Sequence, residues 1–267
     1  MPHRLLAVLT DPATTIACLD AAALAAPALP GCAIEALHVD VDPDRIVAAP
    51  EEIDFQRLRD AREGTATERA EAVRAAVERW QRDHPETPVG WRCEVGQQEE
   101  MVSARSKSAD LIVLARGHDM DSGDALHAAI FGTDVPALLM PPAVAASSLS
   151  HIAIAWSGSD ASGRAVAGAM PWLARAVRVT VIAIGEGSDA ARDLAGDLGL
   201  GGIHAEIHAV PRGDGELGAR IVGEAHAVGA DALVAGAYRH NAMVEWLLGG
   251  TTRHLLSAAD LPLFLAH

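Results

Sequence analysis

The stretch GAYRHNAMVEWLLGGTTRHLL, Gly236 to Leu256, gathers residue types suited to holding an anion. Gly236, Gly249 and Gly250 leave backbone N–H groups open to approach. Thr251 and Thr252 add hydroxyl donors, and Arg239 and Arg253 add planar cations. Between the end of a strand and the start of a helix, such a set binds phosphate through amide donors, the helix dipole and bidentate guanidinium bonds. The same residues also suit a plain turn, with the arginines solvated or paired with carboxylates such as Glu245.

Other chemistries find less support. The twelve histidines include no HxxH or HExxH spacing. His204 and His208 are assigned to a strand, where four residues span about 13 Å, too far for one ion. Scattered surface histidines are expected and no metal. SGSDASG, Ser157 to Gly163, lacks the GxSxG elbow, and Ser159 or Ser162 is expected to cap a helix starting near Ala161. No GxxxxGK[ST] loop occurs, and no nucleophile is paired with a base. No catalytic residue is assigned.

The elements that must position these groups repeat. LLAVLTDPA at Leu5 pairs with IAIAWSGS at Ile152, ADLIVLARGH at Ala109 with ADALVAGAYRH at Ala230, and DVPALLMPP at Asp134 with DLPLFLAH at Asp260. Three matches in one order predict tandem domains, 1–142 and 150–267, joined by a linker over 143–149. Strands are predicted at Leu5–Leu9, Ala33–Val39, Val89–Val95, Leu111–Leu114 and Ala137–Met140. In the second half they fall at Ile152–Trp156, Val179–Ile184, Ala205–Val210, Ala232–Ala235 and Leu261–Leu265. A helix from Ala66 to Trp80 places Ala66, Ala70, Val73, Val77 and Trp80 on one face. Strands alternating with helices predict an α/β fold: two five-stranded parallel sheets, each doubly wound with four helices, resembling nucleotide-binding domains. Ligands of such sheets lie outside the carboxyl ends of the strands, where Gly236 falls.

Composition narrows the partners. Half of the 267 residues are hydrophobic but only 3% are aromatic, so alanine, valine and leucine must fill the core. A net charge of −15 repels nucleic-acid backbones and anionic membranes, so neither is expected as a partner. Cys18, Cys32 and Cys93 show no CxxC spacing and read as reduced, buried thiols. MPHRLLAVLT lacks a signal-peptide core, and no run reaches membrane-span length, so a cytoplasmic protein is expected.

The opening stretch resembles the Gly-x2-Gly-x9-Gly-Ser/Thr motif of universal stress proteins, and the resemblance spans nearly the whole chain as two tandem copies. Gly236 and Gly249 keep the family spacing. Arg239 replaces the second glycine, Gly250 replaces the Ser/Thr, and Thr252 falls at a further hydroxyl position. Glu245 and Leu248 match acidic and apolar positions of nucleotide-binding members. The resemblance implies a stress-response protein whose second half binds an adenine nucleotide, ATP or AMP, or another phosphate compound. Its binding set would be Gly236, Arg239, Gly249, Gly250, Thr251, Thr252 and Ser157, the last standing where the family places an aspartate. The first half keeps that aspartate as Asp11, but it is five residues shorter in the late loop and has Ala115 for the leading glycine. Its Gly132-Thr133 reads as a helix end. The resemblance also implies an intramolecular pseudo-dimer through the final strands, ALLM and LFLA, with a further homodimer left open. A nucleotide-hydrolysing or nucleotidyl-transfer enzyme, and an interaction module with decayed pockets, remain alternatives.

Overall fold

Uninterrupted aliphatic runs favour strands buried on both faces, the environment of a parallel sheet covered by helices. The computed structural model describes residues 2–117, 122–141, 148–185, 188–237 and 250–267. The chain divides into two units, Met1–Ala145 and Ala146–His267.

The first unit runs β1 (Arg4–Val8), α1 (Thr15–Ala25), β2 (Ala33–Asp40), α2 (Pro50–Glu63), α3 (Ala66–Asp83) and β3 (Val89–Val95). It continues with α4 (Gln98–Ser106), β4 (Leu111–Ala115), α5 (Ser122–Phe131) and β5 (Ala137–Met140). Its strands are all parallel in the order β3-β2-β1-β4-β5. The second unit runs β6 (His151–Ala155), α6 (Asp160–Leu173), β7 (Arg178–Ile184), α7 (Ser188–Leu200) and β8 (Ala205–Val210). Then come α8 (Leu217–Ala227), β9 (Ala232–Gly236), α9 (Gly250–Ala258) and β10 (Leu263–Ala266). Its parallel order is β8-β7-β6-β9-β10. In both units the outermost strand, β3 or β8, carries mostly exposed or half-buried side chains.

Three differences from the sequence reading have physical causes. The first unit carries five α-helices among the described residues instead of four, because α2 was not foreseen. That helix has no apolar stripe: it buries Gln56 and Arg59. On α3 the buried face includes Arg69 in place of Ala70, which is half-buried. The last strand begins at Leu263, after Pro262, which has no N–H to give a ladder but whose carbonyl accepts from Leu233.

The cores are aliphatic with few rings. Trp80 is 1% exposed, and its indole N–H donates to Asp20 at 2.6 Å. Trp172 packs on Phe264 with centroids 5.1 Å apart. Cys18 is buried between β1 and β4, and burial pushes its thiol up to about 12. Cys32 is half-buried and Cys93 exposed, so the filler reading fits Cys18 alone. The expectation of surface histidines fails at His38, which is 2% exposed and donates from Nδ1 to the Leu9 carbonyl at 2.7 Å.

Candidate functional site

In each sheet the chain order reverses between the first and fourth strands, β1 beside β4 and β6 beside β9. Chain connections leave in opposite directions there, opening a crevice at the carboxyl ends. In the second unit that crevice is bounded by the β6 exit, Trp156 to Ser159, and by Gly236 at the end of β9.

The β6 exit is a hydroxyl cluster. Ser159 caps α6, its Oγ accepting from the Ser162 amide at 3.2 Å. Ser157 Oγ lies 3.0 Å from Ser159 Oγ and donates to Ser162 Oγ at 3.3 Å. Ser162 Oγ donates to the Ser159 carbonyl at 2.8 Å. Gly158 holds a φ of 71°, which lets the chain turn from strand to cap. Trp156 Nε1 is buried and has no acceptor among the described residues. A buried donor of this kind is costly unless something bearing an acceptor reaches it.

Gly236 is the last residue of β9, not the first of a loop. A Cβ there would lie 2.6 Å from the Ser162 amide nitrogen and 2.7 Å from the Ala161 carbonyl carbon. Its glycine character thus answers a neighbouring helix: the start of α6 rests directly on the strand. Gly250 and Thr251 open α9, with Thr251 half-buried. Thr252 is 1% exposed and engaged in an interaction, so its hydroxyl does not face open solvent. Arg253 is exposed. Arg239, Glu245, Leu248 and Gly249 lie outside the described residues. Of the residues assigned from sequence, Gly236 and Ser157 lie at the carboxyl ends of the adjacent strands β9 and β6.

The first unit holds a cavity of about 410 Å³ that sequence reasoning missed. Its wall comprises Thr10 and Asp11 after β1, Arg59 and Glu63 of α2, and Glu68 and Arg69 of α3. Arg59 and Arg69 are 2% and 5% exposed. Arg59 Nε donates to Glu63 at 2.7 Å, and Arg69 Nη1 donates to Asp60 at 2.7 Å and to the Gly64 carbonyl. Arg69 Nη2 is buried with no partner among the described residues. An arginine at a buried step of the α3 stripe was the available signal. At the other side of that unit, Gly132 follows α5 and its amide donates to the Ala128 carbonyl, while Thr133 Oγ1 donates to that of Ala129. No group of three or more His, Cys, Asp or Glu able to hold a metal occurs among the described residues. None of their helices is long and apolar enough to cross a membrane.

No protein-family model matches the chain, and no curated protein matches its sequence significantly. Solved structures do. A universal stress protein from Archaeoglobus fulgidus aligns with a TM-score of 0.66 and 15% identity over 98% of this chain and 97% of that one. A functionally unknown protein from Pseudomonas aeruginosa gives 0.59 and 13% over 99% and 92%. A putative universal stress protein from Pseudomonas aeruginosa gives 0.57 and 14% over 99% and 93%. Identities this low speak for architecture, and they speak for all of it: the chain has the fold of the universal stress proteins.

Proposed function

We propose that this is a stress-response protein of the universal stress type, whose second unit binds a phosphate compound, an adenine nucleotide among them, in the crevice between β6 and β9. The observation that carries the reading is the β6 exit: the hydroxyls of Ser157, Ser159 and Ser162 cluster at the start of α6, which packs against Gly236, and the preceding Trp156 has a buried indole N–H with no acceptor among the described residues. Hydroxyl and indole donors suit phosphate and ribose oxygens without demanding one base. Ser157 offers a neutral acceptor where the family resemblance puts an aspartate, so discrimination between bases is weak.

Denaturing the purified protein and identifying the released small molecules by mass spectrometry is the first test, with a nucleotide or phosphate ester expected. Titration calorimetry is the second, with ATP and GTP binding nearly alike. Ser157→Asp then restores a charged acceptor and favours ATP by roughly three- to thirtyfold, the difference between a charged and a neutral hydrogen bond. Absence of any bound phosphate compound, together with no saturable heat from either nucleotide at millimolar concentration, overturns the reading.

A further inference from the structure

Helix α2 lies in the first unit, apart from the site proposed above, and it is attached differently from its neighbours. α1 buries Cys18, Leu19, Ala21, Ala22 and Ala25, and α3 buries Val73, Ala76, Val77 and Trp80. α2 buries only Gln56 and Arg59, while Ile53 and Phe55 are half-buried and Leu58 is exposed. Whereas α1 and α3 lie close against the strands, α2 runs close beside no described strand or helix. Charge holds it in place of hydrocarbon. Arg69 of α3 donates to Asp60 of α2 at 2.7 Å and to the Gly64 carbonyl just past the helix end. Arg57 faces Asp44 across 3.9 Å with both side chains well exposed, a pair that contributes little. Both flanks can turn. Gly64 holds a φ of 87°, a backbone state that suits glycine, and residues 46–49 before Pro50 have no regular structure. The Val47 carbonyl accepts from Gln97 at 3.0 Å, which fixes that flank as a pivot. A segment with so few buried apolar contacts opens at a lower free energy than the core that carries it.

We propose that α2 is a lid on the 410 Å³ cavity at the carboxyl end of β1, turning about Gly64 and residues 46–49. Arg59 and Glu63 give α2 a share of the cavity wall, and Thr10 and Asp11 after β1, with Glu68 and Arg69 of α3, form most of the rest. The bond from Arg69 to Asp60 is the latch, because it joins the mobile wall to the fixed one. When the latch parts, Arg59 and Glu63 leave with α2 and the cavity opens toward Thr10, which is buried in the closed form. α3 stays in place, since its apolar face rests on the sheet and α1 and does not depend on α2.

The test uses the full chain and hydrogen exchange read by mass spectrometry. Amides of α2 are expected to exchange about tenfold or more faster than those of α3 and β1. Asp60→Ala removes the latch and keeps a good helix former. It is expected to speed α2 exchange a further ten- to hundredfold, roughly the worth of one charged hydrogen bond, and to leave β1 and β4 unchanged. Glu78→Gln, which breaks an exposed pair with Arg74 on α3, is the control and should alter neither. Thr10→Cys, with Cys32 and Cys93 replaced by serine, reads the cavity itself. Its thiol should react with N-ethylmaleimide in step with α2 exchange, faster when Asp60→Ala is added and well ahead of the buried Cys18. If Asp60→Ala fails to fold, the Thr10→Cys chain decides alone: equal protection of its new thiol and of the α2 amides supports the lid, and a thiol that reacts like a free one overturns it. The proposal also falls if α2 exchanges no faster than α3, or if Asp60→Ala speeds β1 and β4 as much as α2. It falls equally if the new thiol reacts at one rate with and without Asp60→Ala.

Discussion

A methyl group on Gly218 would lie 2.2 Å from the Leu255 amide nitrogen, and one on Gly236 would lie 2.6 Å from that of Ser162. On Gly196, in the middle of α7, it would meet nothing within 4 Å. Alanine at either of the first two positions is expected to cost about 1–3 kcal/mol through overpacking. Alanine at Gly196 should stabilise by roughly 0.5–1 kcal/mol, since glycine only weakens a helix interior. Urea unfolding of the three variants checks both signs. His38 supplies a second test. Burial holds its pKa below the ordinary 6.5, the Arg59 and Arg69 charges act in the same direction, and the Leu9 carbonyl and Asp40 oppose them. The folded state therefore binds fewer protons than the unfolded one. Stability from this group is complete above 6.5 and declines as pH falls from there through the lowered folded value. The parent should lose more stability than His38→Gln when unfolding is measured at about pH 5.5 instead of about pH 7.5. Sequence spacing found Gly236 but not the α6 backbone that presses on it, because a glycine required by an adjoining backbone and one required by a ligand look the same in one dimension.

Strands were legible both as buried aliphatic runs and as alternating edge segments. Ala137–Met140, buried throughout, and the mostly exposed or half-buried Val89–Val95 and Ala205–Val210 are all strands with the predicted bounds. The α3 helix follows its stripe to Trp80 and runs on to Asp83. Its neighbour α2 was invisible because it packs with polar side chains, and apolar periodicity does not report a buried arginine. The cavity depends on this helix, so missing the one concealed the other. The start of α3 carries its own signal in Thr65 and Glu68. Thr65 Oγ1 accepts from the Glu68 amide at 3.3 Å, and the Glu68 carboxylate accepts from the Thr65 amide at 2.8 Å. Those bonds from Thr65 hold the Glu68 carboxyl below its usual range. Thr65→Ala is expected to cost about 0.5–2 kcal/mol in thermal or urea unfolding. Adding Glu68→Ala should cost less than the sum of the two single changes, since both bonds belong to one box.

For the whole molecule, composition and alternation were enough to give the fold class, because a parallel sheet wrapped by helices is what such a pattern can form. The ligand was not legible, since sites are placed on folds and not implied by them. A net charge of −15 also acts on the whole chain. Self-repulsion opposes compactness, and salt screens it over about 10 Å at 0.1 M. Raising sodium chloride from about 0.02 M to about 0.3 M is therefore expected to raise Tm. A fall would mean that the ion pairs outweigh the repulsion.

The outer strands β3 and β8 offer unpaired amides and carbonyls along one side, the chemical surface on which one chain can recruit another into a growing fibre. Their side chains discourage it. On β3, Arg92 pairs with Glu35 at 3.1 Å and with Glu94 at 3.6 Å, and on β8 Glu206 pairs with Arg178 at 2.5 Å. Any copy docking there must dehydrate those ions while bringing its own excess of negative charge. The protein can thus accumulate in a crowded solution without its open rims becoming seeds, a protection that neutralising Arg92, Glu94, Arg178 and Glu206 would remove.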